Sequence, residues 1–129
     1  NYLGFDVRPP DNIENAAVYM TSSFDPQRVS ECGVVELGST GEILSFEEKP
    51  KKPKGKHAHI GITFYPRDLV DLLEGEGLRD APLVTDISNA YLRKRRLNAI
   101  VCDGVRFNVN TPEDIYQAAT HRRTNLNRQ

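Results

Sequence analysis

Short apolar runs alternate with helical stripes along the chain, and this pattern is typical of a mixed α/β fold. Runs rich in apolar and β-branched residues predict strands at 16–22, 32–37, 43–49, 59–65, 98–102 and 105–109. The runs at 32–37 and 43–49 are separated by a short spacer that holds Gly38 and Gly41, so we expect them to form a hairpin. The pattern therefore predicts a layered α/β structure with an irregular mixed sheet and about three helices.

Three segments have the residue spacing of amphipathic helices. Pro66 is expected to open the first helix and Gly75 to end it, while Asp80 is expected to cap the second, with Pro82 in its first turn. Thr111 begins the third, because threonine caps a helix, proline fits its first position and acidic residues favour its amino end. The apolar residues of this last helix are expected to face the core, namely Ile115, Ala118 and Ala119.

Composition narrows the class of protein. The chain has 129 residues, enough for one domain with a core, and its 17 basic and 18 acidic residues nearly cancel. A general attraction to nucleic acid or to an anionic membrane is therefore not expected, and no apolar run approaches the roughly 20 residues that cross a bilayer. Cys32 and Cys102 lie in apolar, strand-like runs without metal-ligand spacing, so we expect buried thiols in a reducing cytoplasm.

The run from Ile43 to Lys49 ends by presenting an acid and a base side by side before Pro50. Strand alternation places Leu44, Phe46 and Glu48 on one face, so Glu48 is expected to continue a buried row. A carboxylate there is costly unless a polar ligand such as a sugar hydroxyl meets it, and Lys49 can reach a phosphate as a point charge. The alternative is that both residues simply begin a solvated, charged loop.

Other polar features of the sequence each allow two interpretations. Gly61 interrupts a strand, which indicates either a β-bulge or a ligand that approaches the backbone closely. The lysine-rich and proline-rich loop at 49–57 is either a mobile connection or an anion-binding segment. The three histidines, His57, His59 and His121, lack the spacing of a metal site and are expected in loops or on the surface.

Five short strings occur in a characteristic order. They are Cys-Gly-Val-Val at 32–35, Phe-Glu-Glu-Lys-Pro at 46–50, His-Ile-Gly-Ile at 59–62, Arg-Asp-Ala-Pro at 79–82 and Asn-Val-Asn-Thr-Pro-Glu-Asp at 108–114. In this order they resemble the carboxy-terminal half of the sugar-1-phosphate nucleotidyltransferases. The resemblance implies the second half of a doubly wound, Rossmann-like nucleotidyltransferase domain with a mixed sheet.

The same resemblance implies roles for individual residues. Glu48 would accept hydrogen bonds from sugar hydroxyls, Lys49 would bind the phosphate of the sugar 1-phosphate, and Gly33 and Gly61 would let backbone groups approach the sugar. Asn108 stands where the family commonly has a metal-binding aspartate, which makes it a candidate ligand of Mg²⁺. In the family, a phosphate oxygen of a hexose 1-phosphate attacks the α-phosphorus of a nucleoside triphosphate, and pyrophosphate leaves.

The family's Gly-rich nucleotide loop is not found in residues 1–129. We therefore expect the chain to be the sugar-phosphate half, with Asn1 matching the end of a Gly-Asp-Asn string, and to need the amino-terminal half of the same protein for catalysis. Homo-oligomer formation is left open. A second interpretation is a non-catalytic regulatory or assembly subunit, which the departures at Cys32, Ile60 and Asn108 would suit. A third is a binding module centred on the basic loop at 51–57.

Overall fold

The fold is given by a computed structural model that describes residues 2–3, 7–22, 26–102, 106–107 and 109–126. Its strands are β1 (Tyr2–Leu3), β2 (Ala16–Thr21), β3 (Gly33–Leu37), β4 (Ile43–Glu48), β5 (His57–Phe64), β6 (Leu97–Val101) and β7 (Arg106–Phe107). Its helices are a 3₁₀ helix (Pro26–Glu31), α1 (Leu69–Gly75), α2 (Val84–Arg93) and α3 (Pro112–Leu126). No helix within these residues is both long enough and apolar enough to span a bilayer.

Five strands form the main sheet, in the order β4-β3-β5-β2-β6. Strand β2 runs parallel to β6 and antiparallel to β5, and β3 pairs antiparallel with both β4 and β5. Strands β1 and β7 form a separate antiparallel pair. The predicted α/β class, the mixed sheet and the β3–β4 hairpin are therefore confirmed.

Strand β2 lies at the centre of the core, and all six of its residues are buried. Its alternate side chains face opposite sides of the sheet. Ala16, Val18 and Met20 belong to a cluster completed by Leu72 of α1 and Tyr91 of α2. On the other side, the second cluster comprises Ala17, Tyr19 and Ile60. A strand covered on both faces explains why this run is apolar throughout rather than alternating.

Three helix predictions need correction. The first helix begins at Leu69 rather than at Pro66. The second helix begins at Val84 rather than near Asp80, because the Asp86 carboxylate accepts a hydrogen bond from the backbone N–H of Leu83 (2.9 Å) and so caps the helix there. In α3, Ala118 is buried as predicted, but Ile115 is 58% exposed and Ala119 is exposed too. The inward row of α3 follows Asp114 and Ala118 instead, because the buried Asp114 is fixed by its own hydrogen bonds.

The predicted start of α3 at Thr111 is confirmed as a reciprocal cap. The backbone N–H of Asp114 donates to Thr111 Oγ1 (3.2 Å), and Asp114 Oδ2 accepts from the backbone N–H groups of Asn110 (3.1 Å) and Thr111 (2.9 Å). These donors, the Asn110 N–H foremost, lower the pKa of the Asp114 carboxyl. Arg28 of the 3₁₀ helix lies 3.5 Å from the other carboxylate oxygen, which ties that helix to α3.

A polar network joins α1, α2 and the segment before β2. Asp68 accepts hydrogen bonds from Arg96 (2.6 Å) and from the Tyr91 hydroxyl (3.1 Å), and the Arg96 guanidinium lies 5.3 Å from the centre of the Tyr91 ring. Arg96 also donates to the carbonyl of Glu14 (2.5 Å). Burial, followed by the nearby Asp68 carboxylate, raises the pKa of Tyr91 to about 12. The network thus fixes Tyr91, which is the only tyrosine among the buried residues of the first cluster in the described part of the chain.

Removing the hydroxyl in Tyr91→Phe should lower the free energy of unfolding by about 1 kcal/mol, because a buried hydrogen bond to Asp68 is lost while the ring packing remains. Urea unfolding at neutral pH measures the change. Tyr65→Phe is the matched control. Its ring stacks on Tyr91 (5.9 Å), but its hydroxyl contacts are long, 3.4 Å to the Val84 carbonyl and 3.3 Å to the Ser88 hydroxyl. A larger loss for Tyr65→Phe would contradict the assignment.

The same variant has a pH signature. The folded-state pKa of Tyr91 lies above the ordinary tyrosine value of 10.0, so its contribution to stability is complete below pH 10 and is lost as the pH rises towards about 12. Stability should therefore fall less steeply over this range in Tyr91→Phe than in the wild type.

Strands β3 and β4 are held together by an aromatic ring over a glycine. Gly33 is buried, and a Cβ atom placed on it would lie 2.7 Å from Phe46 Cε2 and 3.4 Å from the Cβ of His59. Phe46 is itself only 4% exposed and contacts the His59 ring edge to face, with 5.4 Å between ring centres. Gly33 is therefore required by packing, independently of any ligand.

Gly33→Ala should destabilise the fold by about 1–3 kcal/mol, because the added methyl group displaces the Phe46 ring. The double variant Gly33→Ala/Phe46→Leu should lose at least about 1 kcal/mol less stability than the sum of the losses of the two single variants, since the smaller leucine side chain makes room for the added methyl group. Gly75→Ala is the control, because nothing lies within 4 Å of its Cβ position. If chemical denaturation shows that the stability losses of the two single variants simply add, the close packing of Phe46 on Gly33 is refuted.

Candidate functional site

The pairing of β3 with β4 brings three of the predicted site residues to one end of the sheet. Gly33, the first residue of β3, lies opposite Glu48, the last residue of β4. Lys49 follows directly, and its backbone N–H donates to the carbonyl of Cys32 (3.1 Å). The Glu-Lys pair and the Cys-Gly pair therefore face each other across two adjacent strands.

The predicted burial of Glu48 is wrong. Leu37 pairs with Ile43 and Glu36 with Ser45, so β4 has a bulge at Leu44. The bulge turns Leu44 outward, where it is 53% exposed, and both Ile43 and Phe46 enter the core. From Phe46 to Glu48 the pairing with β3 is regular, so Glu48 keeps the face of Phe46 but lies exposed where this edge strand ends.

Lys49 has an unusual backbone conformation. Its φ angle is +43°, in the left-handed region that a residue with a Cβ adopts at a cost of about 1–2 kcal/mol. The hydrogen bond to Cys32 and the antiparallel pairing before it hold this conformation. Strained residues cluster at functional sites, but Ala81 and Arg95 also have a positive φ, so the backbone conformation alone does not distinguish a binding role for Lys49 from that of an ordinary loop residue.

Gly61 occupies a bulge in β5. Val18 pairs with Thr63 and Met20 with His59, so a step of two residues on β2 is matched by four on β5. Gly61 lies within this bulge, with a φ of +83° and an exposed surface. The bulge interpretation is therefore met, and the ligand interpretation also stays open, because the bulge presents backbone to solvent where a ligand can approach it.

His59 is a feature that sequence reasoning missed. It is half-buried within β5, as is His57, so the expectation that both lie in loops or on the surface is wrong, although the predicted strand at 59–65 included His59. Its Nε2 atom is 3.0 Å from the carbonyl oxygen of Ile62 and 3.0 Å from Thr63 Oγ1. A lone histidine in an apolar run carries no periodic signal for such a contact, because the bulge that creates it comes from the pairing with β2.

The metal prediction is not resolved by this geometry. Asn108 lies outside the described residues. Within the described ranges there is no group of three or more His, Cys, Asp or Glu residues placed to hold a metal ion. Magnesium binding at Asn108 therefore stays a prediction.

A cavity of about 1080 Å³ lies apart from these residues, along β6. It runs between the loop at 8–12, the hairpin tip at 41–43 and residues 97–102. None of Gly33, Glu48, Lys49 and Gly61 lines it. The candidate site is thus an exposed strand end, whereas the cavity follows the edge of the sheet.

The basic loop after Lys49 is anchored to the sheet. Gly55 lies so close to the backbone of Val35 that no side chain would fit there, and Lys54 Nζ is 3.8 Å from Glu47 Oε1 at the surface. An exposed pair at this distance contributes little stability. The close approach of Gly55 places the end of the loop beside β3, where His57 pairs with Val35.

Comparison with known proteins gives consistent matches. The sequence profile of the nucleotidyl transferase family matches residues 11–124. The chain is 33% identical over 97 residues to a glucose-1-phosphate thymidylyltransferase of Mycobacterium tuberculosis, covering 74% of this chain and 33% of the relative. It is 32% identical over 98 residues to a glucose-1-phosphate adenylyltransferase of Thermomicrobium roseum, covering 73% of this chain and 23% of the relative.

A solved structure shares the fold. A Bacillus anthracis protein described as a glucose-1-phosphate thymidylyltransferase, in complex with sucrose, superposes with a TM-score of 0.71 at 28% identity. The match covers 83% of this chain and 43% of that one. The chain therefore spans about a third or less of the two curated relatives and less than half of the solved one. With the profile match over most of its residues, the chain belongs to the nucleotidyl transferase family and is similar to the sugar-1-phosphate nucleotidyltransferases.

Proposed function

We propose that Gly33, Glu48, Lys49 and Gly61 form the sugar-phosphate side of a nucleotidyltransferase active site. The observation that carries the proposal is the β3–β4 register, which places Gly33 opposite Glu48 and bonds Lys49 to Cys32. The relatives named for glucose 1-phosphate support a hexose 1-phosphate as the substrate.

Each residue has a role that its chemistry suits. The exposed carboxylate of Glu48 accepts hydrogen bonds from sugar hydroxyls, and the exposed ammonium of Lys49 pairs with the phosphate. The bulge at Gly61 offers backbone groups without a side chain in the way. Gly33 contributes indirectly as well, because its small size lets Phe46 pack and so fixes the end of β4.

In the proposed reaction, a phosphate oxygen of the sugar 1-phosphate attacks the α-phosphorus of a nucleoside triphosphate. A new P–O bond forms, the bond between the α-phosphorus and the bridging oxygen breaks, and pyrophosphate leaves with the electron pair. The step needs alignment and neutralisation of spreading negative charge, and Lys49 supplies part of both. Mg²⁺ would add charge neutralisation when bound, with Asn108 proposed as an uncharged amide ligand.

Lys49→Ala in the full-length protein should weaken glucose 1-phosphate binding at least tenfold in calorimetric titration, because the phosphate loses its ammonium partner; tenfold corresponds to about 1.4 kcal/mol. Lys49→Gly should weaken binding similarly yet unfold with a free energy about 1 kcal/mol higher than Lys49→Ala, since glycine tolerates a positive φ. Lys52→Ala, in the exposed loop, is the matched control and should bind almost as the wild type does.

Equal affinities in the wild type and Lys49→Ala would remove Lys49 from the proposed role. The same samples test the alternative of a non-catalytic regulatory or assembly subunit. One observation favours it: Ile60, one of the departures from the family pattern, is fully buried and belongs to the second core cluster. Sugar-phosphate binding without pyrophosphate release in the presence of a nucleoside triphosphate would support this alternative.

The nucleotide-binding half of the domain, in this proposal, lies against β6. Among the described residues, β6 pairs with β2 alone, so its other edge has backbone groups free for a further strand. The cavity of about 1080 Å³ follows that edge, and Val101 is 46% exposed beside it. The curated relatives are much longer than this chain and have the residues to supply such a strand.

Hydrogen exchange of the β6 amides in the full-length protein tests this arrangement. Amides that face β2 and amides that face away should be protected to a similar degree, because both sets would donate to a strand. If the β6 amides that face away from β2 exchange as fast as exposed loop amides, no strand pairs with that edge.

A further inference from the structure

His59 lies where three parts of the proposed site meet. It is on β5, two residues before Gly61, and its Cβ is 3.4 Å from the Cβ position of Gly33. Its ring contacts Phe46, which precedes Glu48 by two residues on β4.

The His59 ring also closes the bulge. Because the Ile62 carbonyl can only accept, its 3.0 Å contact with Nε2 requires a hydrogen on that nitrogen, and Thr63 Oγ1 (3.0 Å) is a second partner. The bonds span the extra residues of β5, from position 59 to positions 62 and 63. A bulge without such hydrogen bonds can shift its register, since its extra residues have no partner on the neighbouring strand.

We propose that His59 is a positioning residue that fixes the Gly61 bulge relative to the β4 end and thereby selects a sugar phosphate over bare phosphate. This inference rests on the proposed function. Hydrogen bonds to sugar hydroxyls require donor–acceptor distances near 2.7–3.2 Å and fail after a small displacement of the bulge. The attraction between Lys49 and a phosphate falls only inversely with distance and survives it. Loss of the hydrogen bonds from His59 therefore removes the contribution of the sugar to the affinity and leaves the contribution of the phosphate unchanged.

Two substitutions separate the hydrogen bond from the ring. His59→Phe keeps a ring against Phe46 but has no donor for the Ile62 carbonyl. His59→Gln keeps an N–H donor at a similar reach but has no ring. Calorimetric titration of the full-length protein with glucose 1-phosphate, and separately with inorganic phosphate, gives both affinities for each variant.

His59→Phe should raise the dissociation constant for glucose 1-phosphate about 5- to 10-fold and leave that for inorganic phosphate within about twofold, as expected for loss of one neutral hydrogen bond of about 1 kcal/mol. His59→Gln should restore both values to within about twofold of the wild type. An equal change for the two ligands in His59→Phe would indicate general damage and overturn the proposal. A His59→Gln variant as weak as His59→Phe would overturn it as well.

Thr63→Val provides a second variant that keeps a β-branched residue in the strand and removes one of the two Nε2 partners. It should weaken glucose 1-phosphate binding in the same direction and by less, with phosphate unaffected. If His59→Phe does not fold, an unchanged sugar-phosphate affinity in Thr63→Val refutes the positioning role. A wild type that binds no glucose 1-phosphate defeats the proposed function, whereas wild-type binding with an unaffected His59→Phe defeats only this inference.

Discussion

The packing of one aromatic ring over one glycine determines the geometry of the candidate site. Phe46 fills the space beside Gly33, so β3 and β4 approach closely and in one register. That register places Glu48 opposite Gly33 and lets Lys49 bond to Cys32. An edge strand has a partner on one side only, and slippage by one residue would turn Glu48 to the other face. The apolar core thus specifies where the two charged groups lie.

The strand that carries these charges is also supported from its open side. The Asn89 amide of α2 donates to the carbonyl of Phe46 (3.0 Å), which gives β4 a partner beyond β3. Two supports make a strained residue tolerable at the strand end, because the positive φ of Lys49 costs less than the loss of both sets of bonds. The bulges at Leu44 and Gly61 likewise interrupt the ladder of strand hydrogen bonds, and each leaves an exposed residue in its strand.

Regular features of the fold could be predicted from the sequence, because they arise from local periodicity. The buried run of β2, the glycine-bounded hairpin and the Thr111 cap of α3 all follow from neighbouring residues. The contacts of His59 could not, because they depend on a bulge that pairing with β2 creates, and the exposure of Glu48 could not, because strand alternation does not show where the covering elements end. The start of α2 differs from the prediction for a related reason: Asp80 followed by Pro82 is a plausible helix start in sequence, and only the folded chain shows the Asp86 carboxylate bonded to the N–H of Leu83.

The exposure of the Glu48–Lys49 pair links the site to the proposed partner half. Two unit charges about 4 Å apart attract by about 1 kcal/mol in water and about four times as much at the effective dielectric constant near a protein surface. An exposed strand end therefore binds a phosphate weakly unless a second wall excludes water. The four candidate residues lie outside the cavity along β6, and the described residues show only one side of the candidate site. If the nucleotide-binding half docks at β6, next to the buried strand β2 that pairs with β5, it lies two strands from Gly61 and can close that side. In the proposed site, the affinity of Lys49 for a sugar phosphate would thus depend on a second wall that excludes water.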